Sequence, residues 1–291
     1  MEKEKTLRIV FPQWQGGVNP DYAFGSVLLS HIAPSGISDE TVEIKVDKNF
    51  DADLALIDGV DAGDMLIKQM EETERVLNHK QPNKVIIFGG DCSVTQVPFD
   101  YLKSKYADKL GILWLDAHPD VASTKNSSHL HEMVLANLLG QNSSSHITKV
   151  KHPFKPNEVM LAGLIEEDLR EMDMACKELN LRLAAPAELK VDSRPILTWI
   201  EENGIEYLAV HWDLDVLSPN DFRAILTARP YIDLDRFPAA VGRMTLNEVG
   251  RILNDVSKKA EIVGLGITEH MPWDAMNLRR VLSDISIFSK N

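Results

Sequence analysis

Cysteine is scarce in this sequence, with Cys92 and Cys176 the two among 291 residues. Two thiols are too few for a disulfide framework, and the opening stretch MEKEKTLRIVFPQW holds only a short apolar run in place of a secretory signal. The expected compartment is therefore the reducing cytoplasm. Long hydrophobic runs are missing too: no window approaches the roughly 20 apolar residues of a membrane span. Positive charge is in short supply, with 31 Lys and Arg against 44 Asp and Glu and a formal net charge of −13. A chain so charged repels phosphate backbones and anionic lipid headgroups, which excludes a general nucleic-acid or membrane-surface binder. There is no internal repeat, no low-complexity tract and no linker rich in Pro, Gly and Ser. With 44% hydrophobic residues and a length near the upper limit for one hydrophobic core, a single domain over residues 1–291 is expected.

What the sequence does have is a repeated two-beat pattern. Short apolar runs at 7–11, 42–46, 84–88, 111–115, 158–162, 181–184, 206–210 and 261–265 read as buried strands. Amphipathic stretches at 61–78, 97–106, 132–139, 166–179, 194–203, 246–259 and 275–287 read as helices, with Thr245 and Asp274 as N-caps. Strand followed by helix, repeated, implies a parallel sheet covered on both faces. Residues 123–128 and 218–244 read as loops, the second with a short helix expected at 222–226. Loops of that second length are usually functional or disordered.

Four strands run straight into ionisable residues. They lead into Gly89-Gly90-Asp91-Cys92-Ser93, Asp116-Ala117-His118-Pro119-Asp120, His211-Trp212-Asp213-Leu214-Asp215 and Gly266-Ile267-Thr268-Glu269-His270. In an open parallel sheet the carboxyl ends of the strands line one edge and ligands bind in the crevice there, so the four clusters are expected to converge. A single Asp after a strand is commonly a helix cap. Three ionisable groups at alternate positions, Asp116, His118 and Asp120, with Asp213 and Asp215 at another strand end, are harder to explain that way. Like charges sharing a site cannot all ionise, and leaving them uncompensated is costly or forces protonation. A bound cation resolves the conflict. Carboxylates with one or two imidazoles favour a hard or borderline metal such as Mn²⁺, and carboxylates shared between strand ends suit a bridged pair.

The segments GGDCS, WLDAHPD, HWDLDVLSP and ITEHMP, in that order and spacing, resemble the four signatures of the arginase and agmatinase (ureohydrolase) family, over the chain from about Gly89 to Trp273. The resemblance implies a three-layer α/β/α sandwich around a mostly parallel sheet of about eight strands. It also implies a bridged two-manganese centre whose bridging hydroxide hydrolyses a guanidino compound to urea and an amine. By that likeness Asp116 and Asp213 would bridge both metals, and His118 with Asp215 would complete one of them. Asp120 would bind the other beside Cys92, which stands where the family keeps the histidine of a GGDH sequence. Glu269 matches the acid that holds the substrate guanidinium. His131 falls where the family keeps a histidine that protonates the leaving group, a helix-start histidine being its other reading. Asp168, Glu171 and Thr245 match residues near the substrate, although an exposed charged helix start explains the first two equally well and an N-cap the third. The likeness further implies a small cationic guanidino or amidine substrate and a homo-oligomer, trimer or hexamer.

Two departures stand out. A thiolate at Cys92 is softer than imidazole and shifts the metal preference toward Zn²⁺ or Fe²⁺, whereas a neutral thiol leaves its metal weakly held. A third reading makes Cys92 a small buried residue and nothing more. On this basis the ion at Asp116, His118, Asp213 and Asp215 is expected to bind tighter than the one beside Cys92. The second departure is His211-Trp212, Ser218-Pro219 and the stretch NDFRAILTARPYIDLDRFP that follows. Loops at the carboxyl edge choose the substrate, so arginine, agmatine, another guanidino acid and a formimino compound all stay open. The alternative to a hydrolase is a family-like protein with impaired or no catalysis and one or no tightly bound metal, acting as a structural or regulatory partner. A single-metal deacetylase-like hydrolase fits less well, for want of a His-His pair.

Overall fold

Eight short runs of aliphatic and β-branched residues assemble into one sheet. The computed structural model describes residues 5–36, 40–142, 145–285 and 287. Its strands are β1 (Thr6–Phe11), β2 (Glu40–Glu43), β3 (Lys84–Gly89), β4 (Leu110–Leu115), β5 (Val159–Ala162), β6 (Arg182–Ala184), β7 (Tyr207–Asp213) and β8 (Glu261–Thr268). Every pairing is parallel, in the order β2-β1-β3-β8-β7-β4-β5-β6. The helices are α1 (Tyr22–Ile32), α2 (Gly63–Lys80), α3 (Gln96–Tyr106), α4 (Val134–Leu138), α5 (Ala175–Glu178), α6 (Pro186–Val191), α7 (Arg194–Glu202), α8 (Leu246–Val256) and α9 (Trp273–Ser283). No helix among the described residues is long and apolar enough to cross a membrane.

Side-chain alternation along the strands makes the layers. On β4, Ile112 and Trp114 share a core with Leu77 of α2, Phe99 of α3 and Leu138 of α4, whereas Leu113 and Leu115 share one with Trp199 of α7 and Ile252 of α8. A strand covered on both faces has no polar side to show, which is why LGILWL is apolar throughout and fully buried. The result is a three-layer α/β/α sandwich.

The strand order also fixes where chemistry gathers. β3, β8, β7 and β4 are the four central strands and are consecutive in the sheet, and they are the strands that carry the four ionisable clusters. The chain from β3 to β4 passes over β8 and β7, so the clusters meet at a switch in strand order, where open α/β sheets form a crevice.

Several local expectations need correction. β7 and β8 run on to Asp213 and Thr268, paired as His211↔Gly266, Trp212↔Ile267 and Asp213↔Thr268; the backbone ladder outlasts the apolar run, so these residues end strands rather than follow them. The helix expected over 166–179 breaks into turns at Glu166–Asp168 and Glu171–Asp173 before α5. There the Asp173 carboxylate accepts from the Arg170 backbone and guanidinium at 2.9 Å, a local bond that competes with helix. Residues 222–225 are not helical, and a short helical turn lies at Leu226–Ala228 instead. Thr245 caps α8 as expected, but Pro272 occupies the cap position of α9 and Asp274 falls in its first turn. α9 ends at Ser283, short of 287, and Ser286 lies outside the described residues. Helices α1 and α6 were not anticipated: α1, YAFGSVLLSHI, is too uniformly apolar to show a face.

Gly90 illustrates how tightly the edge is built. Its amide donates to Phe11 O at the end of β1 (2.9 Å), its carbonyl accepts from Glu269 N after β8 (2.7 Å), and a Cβ there would sit 1.7 Å from Gln13 O. Exposed Gly250, inside α8, has nothing within 4 Å of such a Cβ. Gly90→Ala should therefore lose about 1–3 kcal/mol and Gly250→Ala should gain about 0.5–1 kcal/mol, as read from urea midpoints; equal effects would contradict this packing.

Candidate metal centre

Two of the clusters use the same backbone device. Asp116 Oδ1 accepts the amide of His118 and Asp213 Oδ1 accepts the amide of Asp215, each at 2.7 Å. One oxygen of each acid is thus spent on orienting its own loop, and the other is turned toward the shared space. Asp116 Oδ2 also accepts from Trp114 Nε1 at 3.1 Å, and Asp213 Oδ2 from Thr268 Oγ1 at 3.3 Å and Cys92 Sγ at 2.7 Å. Asp91, the third residue of GGDCS, holds the loop beneath: it accepts from Gln13 Nε2 (3.1 Å), Gly17 N (3.3 Å) and Ser93 N (3.0 Å). Asp120 and Glu269 hold left-handed backbone, with φ of 47° and 60°, a conformation that costs a non-glycine residue about 1–2 kcal/mol. Strain of this kind gathers at functional sites.

The electrostatics are those of acids short of a cation. Burial, followed by the neighbouring carboxylates, pushes Asp120, Asp213 and Glu269 well above the usual carboxyl range and Asp116 to about 7. Burial would do the same to Asp215, but His118 Nδ1, 3.0 Å from Asp215 Oδ2, outweighs it and holds Asp215 low. Burial and then Asp213, Glu269 and Asp120 push the Cys92 thiol up. Burial alone takes His211 down to about 3.

Ligand atoms fall within 4.8 Å of one another in three sets: Cys92, Asp116, Asp120 and His211; Cys92, Asp213 and Glu269; and Asp116, His118 and Asp215. Among the described residues eight buried side-chain polar atoms lack a partner, and four of them are here: His118 Nε2, Asp120 Oδ2, Asp215 Oδ1 and His211 Nε2. Orphaned buried acceptors are rare in folded proteins. Oxygen donors with imidazole, crowded and unpartnered, fit hard or borderline divalent cations.

Above the acids lies a cavity of about 330 Å³, within the size range of small-molecule sites. Cys92, Asp116, His118, Asp120, Asp213, Asp215, Glu269 and His131 all line it. His131 is half-buried, its Nδ1 3.0 Å from Gly16 O, and burial lowers its pKa. Asp168, Glu171 and Thr245 are not brought to the lining. Asp168 is exposed and pairs with Arg243 at 3.4 Å, Glu171 is exposed, and Thr245 accepts from Glu248 N as the cap of α8.

Four contributors were not anticipated. Tyr22 of α1, Thr227 and Arg170 reach the lining, and His211 Nε2 lies 4.0 Å from Asp116 Oδ2. Only His211 left a usable sign, since it precedes Asp213 by two residues on a strand and so shares its face.

A sequence model of the arginase family matches residues 30–277. The chain belongs to the arginase family. Arginase from Staphylococcus aureus (strain COL) is 26% identical over 166 residues, 54% of this chain and 51% of that one. Arginase from Bacillus subtilis (strain 168) is 29% identical over 181 residues, 59% and 58% of the two chains. The chain thus spans about half the length of the curated relatives it matches. The crystal structure of Entamoeba histolytica arginase in complex with L-ornithine superposes with a TM-score of 0.76 at 18% identity, covering 100% of this chain and 99% of that one, a likeness of fold.

For this arginase-family chain, neutralising a buried acid should relieve the metal-free protein. With chelator, Asp213→Asn should be more stable than wild type by about 1–2 kcal/mol, the usual scale of a single substitution, because burial and the neighbouring carboxylates oppose the charge on Asp213. In Mn²⁺ at 100 times its Kd the wild type should gain about 2.7 kcal/mol and overtake the variant. Thermal unfolding in both conditions checks this; a variant less stable than wild type in chelator contradicts it.

Proposed function

We propose that this chain hydrolyses a C–N bond in a small cationic linear amidine, converting a guanidino compound to urea and an amine with the help of two divalent ions. The observation that carries the reading is the concentration of unpartnered, buried ligand atoms at the floor of a cavity that Asp116, Asp120, Asp213, Asp215 and Glu269 make acidic. Arg170, the one basic residue besides histidine among the described lining residues, is already paired with Asp173 and with Glu132. Among the described lining residues no unpaired Lys or Arg side chain therefore competes with a cationic substrate.

Asp116, His118, Asp213 and Asp215 would hold one ion, and Asp120 and Cys92, sharing Asp116 and Asp213, would adjoin the other. Bound there, the pair would supply Lewis acidity that activates water as a nucleophile near neutral pH. Glu269 binds the planar cation by charge-assisted hydrogen bonds, its backbone fixed by its amide on Gly90 O. His131 Nδ1–H donates to Gly16 O, since a carbonyl can only accept. That bond leaves Nε2 to carry a proton to the departing amine. Leu226, Phe237, Pro238 and Ala239 of the 218–244 loop form the apolar wall, and the unpartnered Thr227 hydroxyl offers the substrate a contact. Mn²⁺ is the proposed metal, with Zn²⁺ or Fe²⁺ as alternatives. A single domain, cytoplasmic placement and a homo-oligomer belong to the same reading.

A panel of arginine, agmatine, other guanidino acids and formimino compounds, assayed for urea or ammonia with added Mn²⁺, Zn²⁺ or Fe²⁺, tests it. One substrate class should turn over, and His131→Asn should lower its kcat by about 10²–10⁴. Absence of turnover with every metal and substrate would reject the proposal.

A further inference from the structure

We propose that His211 is a ligand of the ion on the Asp120 and Cys92 side, delivered from within β7 rather than from a loop after a strand. The inference rests on the two-ion reading above and names one of its ligands.

Register places the ring. His211 pairs with Trp114 of β4 on one side and Gly266 of β8 on the other. Residues two apart on a strand share a face, so His211 lies below Asp213 as Trp114 lies below Asp116. The imidazole stacks on the Trp114 indole with centroids 3.7 Å apart and planes 6° from parallel. Trp114 thereby holds both the ring and, through its N–H, the Asp116 carboxylate.

Hydrogen-bond counting sets the tautomer. Thr95 Oγ1 is 3.0 Å from Cys92 O and 3.1 Å from His211 Nδ1. The carbonyl can only accept, so the single hydroxyl proton of Thr95 goes to it. Oγ1 must then accept from Nδ1–H, and in a neutral imidazole that leaves Nε2 with a bare lone pair. Gly266 keeps Thr95 in place, because a Cβ there would lie 2.3 Å from Thr95 Cγ2.

Among the described residues that lone pair has no partner. His211 is 0% exposed, Nε2 makes no hydrogen bond, and the nearest carboxylate oxygen it faces, Asp116 Oδ2, is 4.0 Å away. An acceptor pointed at carboxylates from that distance is satisfied by a cation between them. Its ligand atom and those of Asp116, Asp120 and Cys92 lie within 4.8 Å of one another, and the Nδ1 bond to Thr95 is the kind of outer contact that orients a metal-binding imidazole. With an imidazole in this set, Cys92 is free to donate to Asp213, and the reason to expect a weak ion here falls away.

The test is metal binding to the whole chain, counted by equilibrium dialysis and elemental analysis with Zn²⁺ and Mn²⁺. Wild type should bind two ions per chain. His211→Phe, which keeps the stack on Trp114 and its folding verifiable by circular dichroism, should keep one ion and bind the second at least ten times more weakly. The imidazole nitrogens seen by X-ray absorption per Zn²⁺-loaded wild-type chain should fall from two to one. Should the Phe variant fail to fold, Thr95→Val, which removes the hydroxyl that accepts from His211 Nδ1–H and donates to Cys92 O, should weaken the same ion about 10–100-fold and leave the other unchanged. Two ions bound with wild-type affinity in these variants would overturn the assignment and leave the proposed function standing. A wild type that binds no ion would overturn the proposed function, and this assignment with it.

Discussion

Mutual repulsion among buried carboxylates at the end of the sheet is the constraint around which the rest of this structure is arranged. Asp116, Asp120, Asp213 and Glu269 are at most 5% exposed, too close to one another to ionise together in a medium that screens poorly. His118 acts on Asp116, Asp120 and Glu269 as well, but it outweighs burial at Asp215 alone. A fold that needed no cation would gain stability by replacing these acids with apolar residues. Their retention, on strained backbone at Asp120 and Glu269, makes sense only if positive charge arrives from outside the chain.

The sheet makes this crowding possible. Acids on flexible loops would relax apart, but these sit at the ends of consecutive central strands whose spacing the ladder fixes. Three of the acids are further held by short bonds: the amide two residues on for Asp116 and Asp213, the Gly90 carbonyl for the Glu269 backbone. The strands beneath are buried on both faces, so the floor of the centre is an extension of the core, and Trp114 and His211 belong to both.

How much of this could be read from the sequence follows the same physics. The strands covered on both faces were legible, because they appear as apolar β-branched runs, and the convergence of the acids followed from parallel order alone; the edge strand β2, ETVE with alternating exposure, shares only Val42 and Glu43 with the run expected at 42–46. α1 was not, since a helix apolar all round carries no periodicity, and with it went Tyr22. The helix over 166–179 had the right periodicity but lost to the local bonds of Asp173. Thr227 and Arg170 come from segments whose approach is set by tertiary packing, which no local pattern encodes. His211 was visible as an unusual residue before Asp213, yet taking the strand to end at 210 hid the meaning of its spacing. The roles of Cys92 depend on what surrounds its sulfur, and the 2.7 Å contact with Asp213 is a fact of the fold alone.

Everything in this arrangement turns on cations at this edge of the sheet. Crystals of the protein grown with Mn²⁺, measured at a wavelength where manganese scatters anomalously, give the most direct test. Two peaks are expected between the ends of β4 and β7, one beside His118 and Asp215 and the other beside Asp120 and His211. A map with no peak among these carboxylates, at Mn²⁺ concentrations that saturate any site of ordinary affinity, would contradict it.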